Sequence, residues 1–142
     1  MALLSTTPVR PIFRSLTVAE VEPVADHAVS VAFDVTDPKL SHYLDYRAGQ
    51  YVTLDAAIED ERVRQSYSLW TRPAMARAEG LLRIAVAEVS GGRMSPWLAS
   101  HVTTGDTIDV LAPRGDFTYA VGSVPEGGSR HAVVAGGSGI TP

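Results

Sequence analysis

Six segments of this chain alternate apolar and polar residues with a period of two, the pattern of strands with one buried and one wet face. They are Leu16–Val24, Ala28–Val35, Gln50–Ile58, Arg62–Trp70, Leu81–Val89 and Thr107–Leu111. Asp26-His27 and the acidic Glu59-Asp60-Glu61 supply hairpin-like breaks between successive strands. Asp37 to Arg47 reads as a polar loop. One stretch has helical spacing instead. Ser95 reads as an N-cap and Pro96 as the first helical residue, with Trp97, Leu98, His101 and Val102 sharing a face. The spacing of the strands predicts a small antiparallel barrel or sandwich with one short helix.

The last residues break this pattern. Ala120 to Arg130, with Gly122, Pro125, Gly127 and Gly128, reads as a linker. His131–Ala135 (HAVVA) is nearly uniformly apolar, as in a strand buried on both faces. Such a strand needs neighbours and a crossover connection. We therefore expect residues 1–119 to form one domain, and 120–142 to be a linker plus the first strand and loop of an α/β domain whose remainder is absent.

Composition narrows the function. The 142 residues carry a formal net charge of −4 with scattered basic residues, which argues against nucleic acid or an anionic membrane as partner. No apolar run approaches a membrane span, and MALLSTTPVR does not read as a signal peptide, so the expected location is cytoplasmic. The chain has no cysteine, so it can hold neither a disulfide nor a cysteine-ligated cluster. His27, His42, His101 and His131 lack ligand spacing, and no metal site is expected. Any chemistry is then expected to come from a bound cofactor.

Three places could hold one. In VSGGRMSPWL, Gly91 and Gly92 precede the helix start at Ser95, where close backbone approach and free N–H groups favour a phosphate. A plain strand–turn–helix junction fits the same residues. In RQSYSLW, Gln65 and Tyr67 share one face while Arg64, Ser66 and Ser68 share the other. Tyr67 could stack on a planar ligand, or be a core residue with its hydroxyl at the surface. The terminal GGSGITP contains G-x-G but no third glycine, and alone it says little.

Taken in order, YRAGQYVTL, SYSL, VAEVSGGRMSPWL, GDTIDVLAPRGDFTY and VVAGGSGITP resemble the ferredoxin reductase-like flavoprotein superfamily, and most of all the reductase components of bacterial oxygenases such as the phenylacetyl-CoA epoxidase type. The resemblance implies a six-stranded antiparallel Greek-key β-barrel that binds FAD, with FMN less favoured. It also implies a following NAD(P)-binding domain and, in many members, a 2Fe-2S domain that passes electrons to an oxygenase component. By position it places Tyr67 and Ser68 against the flavin ring, with Ser68 and Thr141 nearest the reacting atoms. Val86, Ala87, Glu88 and Val89 fall along the flavin and ribityl chain. Gly91, Gly92 and Ser95 fall at the phosphate, and Gly137, Gly139, Thr141 and Pro142 between the flavin and nicotinamide sites.

The chain departs from the family pattern at three points. Gln65 stands where the family has a phosphate-binding arginine, so Arg64 turned inward by a bulge, Arg83 or Arg93 is expected to substitute. Ala48 stands in place of a proline, and Trp70 is bulkier than the usual small residue. A second reading accompanies the first: a flavin-free barrel that docks within an oxygenase complex and has lost the arginine along with the cofactor.

Overall fold

The computed structural model describes residues 11–118 together with Ala132 and Val134. The expected strand at His131–Ala135 and the loop carrying Gly137, Gly139, Thr141 and Pro142 therefore lie outside the described residues, apart from Ala132 and Val134.

The described chain is mainly β. Six strands form one antiparallel sheet: β1 (Phe13–Ala25), β2 (Ala28–Asp34), β3 (Tyr51–Ile58), β4 (Glu61–Ser68), β5 (Leu81–Ala87) and β6 (Thr107–Arg114). Their order is β4-β3-β6-β1-β2-β5, so β6 returns from the end of the chain to lie between β3 and β1. The 13-residue β1 serves two neighbours, pairing with β6 from Phe13 to Thr17 and with β2 from Thr17 to Ala25. A register shift between Val18 and Glu20 bends it, as an extra residue in one strand does. The sheet curls until its two edges meet at a single bridge, Leu69 with Ile84. Among the described residues the sheet does not close beyond that bridge.

Alternation builds the core. Leu16, Val18, Val31, Phe33, Val52, Leu54, Leu82, Ile84 and Val110 point inward and are essentially inaccessible. Burying a side chain of this size contributes about 1.5–3 kcal/mol. Both short hairpins occur where expected. At Glu59 and Asp60 φ is +49° and +63°, so two consecutive left-handed residues turn β3 into β4 with the twist a two-residue hairpin needs.

Three short helices are present where one was expected. A 3-10 helix (Pro38–Leu44) replaces the polar loop, with the Asp37 carboxylate accepting from the Lys39 N–H at 2.9 Å. It buries Tyr43, whose hydroxyl donates to the Val110 carbonyl at 2.7 Å. Helix α1 (Pro73–Glu79) has proline in its first turn and ends on Gly80 at φ +68°. Helix α2 (Met94–Ser100) starts before Ser95, because Met94, Leu98 and the following Val102 are the residues that bury. Its N-cap is Arg93, and Ser95 lies in its first turn. His101 is exposed rather than part of the packed face.

Candidate functional site

The candidate site follows from β4 being a sheet edge. Its pairing with β3 runs without interruption from Tyr51–Ser68 to Ile58–Glu61, so side chains alternate strictly along it. Val63, Gln65 and Tyr67 share the face of Val52 and Leu54, while Arg62, Arg64, Ser66 and Ser68 share the opposite one. The Leu69 N–H donates to the Gln50 carbonyl at 3.0 Å, which turns the main-chain groups of the odd-numbered residues toward β3. Those of Arg64 and Ser66 consequently face the unpaired edge.

Tyr67 is half-buried and packs beside the core. Burial pushes its phenol up to about 12, so the hydroxyl is a neutral donor at physiological pH. Among the described residues nothing hydrogen-bonds this hydroxyl or the exposed Gln65 amide.

Across the gap, Val86 is buried at the end of β5, and Ala87 and Glu88 are exposed. The Glu88 N–H donates to the His27 carbonyl at 2.7 Å. Val89 is 61% exposed, an apolar side chain left to solvent. Its N–H donates to the Ser95 hydroxyl oxygen at 3.0 Å and its carbonyl accepts from the Gly92 N–H at 2.9 Å. Ser95 thus ties the glycine turn to α2 instead of capping the helix. Gly91 needs its freedom, with φ +75°. At Gly92 a Cβ would lie 2.9 Å from the Val89 carbonyl oxygen, so any side chain would spread the turn. Helix α2 packs against both β4 and β5, framing the gap from below.

The arginines are placed otherwise than the sequence suggests. No bulge turns Arg64 inward. Its Nε lies 2.6 Å from Asp55 Oδ2, and its guanidinium sits 5.0 Å from the centre of the Phe13 ring. Arg62 Nε lies 2.8 Å from Asp55 Oδ1, and the same side chain reaches Asp109 at 3.5 Å. Ser15 in turn donates to Asp109 at 2.5 Å, so one network crosses four strands. Burial alone would push the wholly inaccessible Asp55 carboxyl up. The hydrogen bonds and charges of Arg62 and Arg64 outweigh that and hold it below its usual range. Arg83 pairs with Glu79 and Glu20, and Arg93 with Glu61 and Glu59. Each arginine expected to substitute at Gln65 thus already has a carboxylate. The Asp55 clamp has no local sequence signature, since only the strand register brings Arg62 and Arg64 to one carboxylate.

The gap fits a flat, phosphate-bearing ligand. It offers an unpartnered phenol on one wall, free main-chain groups on an edge strand, and a glycine turn that a Cβ would fill. An antiparallel sheet split at such an edge, with a glycine turn beside it, defines a flavin-binding domain of the oxidoreductase type.

The chain belongs to the oxidoreductase FAD-binding domain family, whose sequence profile spans residues 15–119. It is 37% identical over 130 residues to one component of the 1,2-phenylacetyl-CoA epoxidase of Escherichia coli, covering 92% of this chain and 35% of that protein. An Amycolatopsis cytochrome P450 reductase has the same fold at 28% identity and a TM-score of 0.62, covering 84% of this chain and 34% of that one. Phthalate dioxygenase reductase, described as carrying electrons from pyridine nucleotides to a 2Fe-2S centre, matches at 26% identity and a TM-score of 0.62 over 77% of this chain and 32% of its own. The chain spans about a third of the length of the first of these relatives. The cofactor of the family is FAD. No helix among the described residues is long and apolar enough to cross a membrane.

Proposed function

We propose that this chain is the flavin-binding part of an NAD(P)H-dependent reductase that delivers electrons through FAD and a 2Fe-2S centre to an oxygenase component, as in phenylacetyl-CoA epoxidation. The observation that carries the reading is the unpartnered Tyr67 phenol on an open edge strand, opposite a glycine turn that a Cβ would fill. Bound FAD would supply the two-electron to one-electron conversion that side chains cannot. The protein's share is to bind, orient and shield it.

In this reading Tyr67 gives the flavin ring a flat wall and a neutral hydroxyl donor. Ser68, at the end of β4, stands beside the reacting edge of the ring, and the unpaired edge of β4 offers main-chain donors and acceptors. Val86, Glu88 and Val89 line the other wall. The backbone of Gly91 and Gly92, fastened by Ser95, meets the phosphate. Gln65 can hydrogen-bond that phosphate but adds no charge, and Arg64, committed to Asp55, stays on the other face. Thr141, with Gly137 and Gly139, would sit between flavin and nicotinamide. Residues 1–119 are the flavin domain, and 120–142 open the nucleotide-binding domain.

The flavin-free docking module is not favoured, since the family match covers the whole described sheet and the open face has kept its tyrosine and glycines. The test is steady-state reduction of a 2Fe-2S acceptor by the full-length reductase with NADH or NADPH, comparing wild type with Ser68→Ala. Slower transfer at unchanged FAD content is expected. An unchanged rate removes Ser68 from the reacting edge.

A further inference from the structure

Helix α2 and the β3–β4 turn enclose a second, open cavity of about 420 Å³ on the far side of the glycine turn. Its lining includes Ile58, Glu59, Gly92, Arg93, Trp97 and His101. That volume falls within the span of roughly 300–1,000 Å³ typical of small-molecule sites. Gly92 belongs both to this lining and to the turn assigned to the phosphate, so the cavity begins where that group would end. Strand β4 gives the scale: from Tyr67 to Glu61 is six residues, or about 20 Å along an antiparallel strand. An extended dinucleotide with its ring system on Tyr67 therefore has its other end at the turn.

The charge of the cavity selects among ligand groups. Arg93 is the cation there, and its guanidinium is shared between Glu61 and Glu59, with a further bond of 3.2 Å to the Ile58 carbonyl. One guanidinium against two carboxylates leaves an excess negative charge, which repels phosphate and favours a neutral group with N–H donors. Trp97, half-buried beside this cluster, presents an aromatic surface for stacking.

We propose that this cavity is the adenine subsite of the flavin site, with the base stacked on Trp97 and its exocyclic amino group donating to the carboxylates of the β3–β4 turn. The proposal rests on the flavin reading above and adds what that reading lacks, a reason for this chain to prefer the dinucleotide over FMN. Guanine would point a carbonyl oxygen at the same carboxylates, so adenine is the preferred base.

The test is parallel titration of the 142-residue chain with FAD and FMN, for wild type, Trp97→Ala, Trp97→Phe and Glu59→Gln. Wild type should bind FAD at least tenfold more tightly than FMN. Losing a base-stacking surface typically costs around tenfold. Trp97→Ala should therefore weaken FAD by roughly that factor and leave FMN unchanged, and Trp97→Phe should restore most of the loss. Glu59→Gln changes only an exposed turn residue, so it tests the site even if Trp97→Ala fails to fold; it should lower FAD affinity about threefold with FMN unchanged. Equal affinities of wild type for the two flavins, or Trp97 and Glu59 variants that weaken both alike, overturn the subsite while leaving the flavin reading intact. Binding of neither flavin overturns both.

Discussion

The two faces of β4 differ in one respect that explains the rest. On the outer face Arg62 and Arg64 grip Asp55, and Ser66 shares a hydrogen bond of 2.8 Å with Thr53. On the other face Gln65 and Tyr67 carry polar groups that no described residue satisfies. Both sets come from one strand, one residue out of step, and only the second borders the gap between the sheet edges. A folded chain normally pairs the polar groups it half-buries. Unused capacity next to a gap marks where a ligand completes the structure, whereas the arginines, the more conspicuous residues in the sequence, serve to hold the strand.

That contrast can be broken from either face. The largest effect is expected on the open face. Tyr67→Ala should weaken FAD binding by roughly thirtyfold through lost stacking and hydrogen bonding, read by visible absorption titration, with little change in melting temperature. The outer face should answer in the opposite sense. Asp55→Asn should cost about 1–2 kcal/mol of stability in urea unfolding, limited because solvent screens the largely exposed arginines, and should shift FAD affinity less than threefold. A loss of affinity as large as that of Tyr67→Ala would mean that the two faces are not separate.

Gln65→Arg sharpens the comparison by restoring a charge on the open face. It should tighten FAD about tenfold, equal to about 1.4 kcal/mol, through a charge-assisted contact with phosphate. No gain would mean that the phosphate lies elsewhere.

The smallest effects are those of pH. The Asp55 carboxyl is held below its unfolded value, so its contribution is complete at neutral pH and fades as pH falls below about 4 through the folded value. Acid unfolding of Asp55→Asn should lack that component. Tyr67 titrates in the other sense. Its phenol, pushed up to about 12, keeps its contribution below the ordinary value near 10 and loses it as pH rises between the two. Tyr67→Phe should flatten that alkaline limb.

The strands were legible because a two-residue period survives wherever one face is buried, and the turn at Glu59-Asp60 is marked by its polar residues. The ends of β1 and β6 were not. Phe13 and Ala112 to Arg114 belong to the sheet through pairing with partners far along the chain, which local alternation does not report. The two missed helices did leave signals: Asp37-Pro38 at the start of one, and Pro73 with Gly80 around the other. Each is so short that tertiary packing, not periodicity, decides it. At the site, alternation alone placed Gln65 and Tyr67 on one face and Arg64 on the other. What it could not supply was the register that sets Arg64 opposite Asp55, or the Val89 N–H that claims the Ser95 hydroxyl.

The most direct test is a visible absorption titration of the 142-residue chain with FAD, run beside Tyr67→Ala. The expected result is saturable one-to-one binding with a perturbed flavin band, and loss of most of that affinity in the variant. A free-flavin spectrum at every ratio for the wild-type chain, or identical isotherms for the two proteins, would contradict the assignment of the open face of β4 to the flavin.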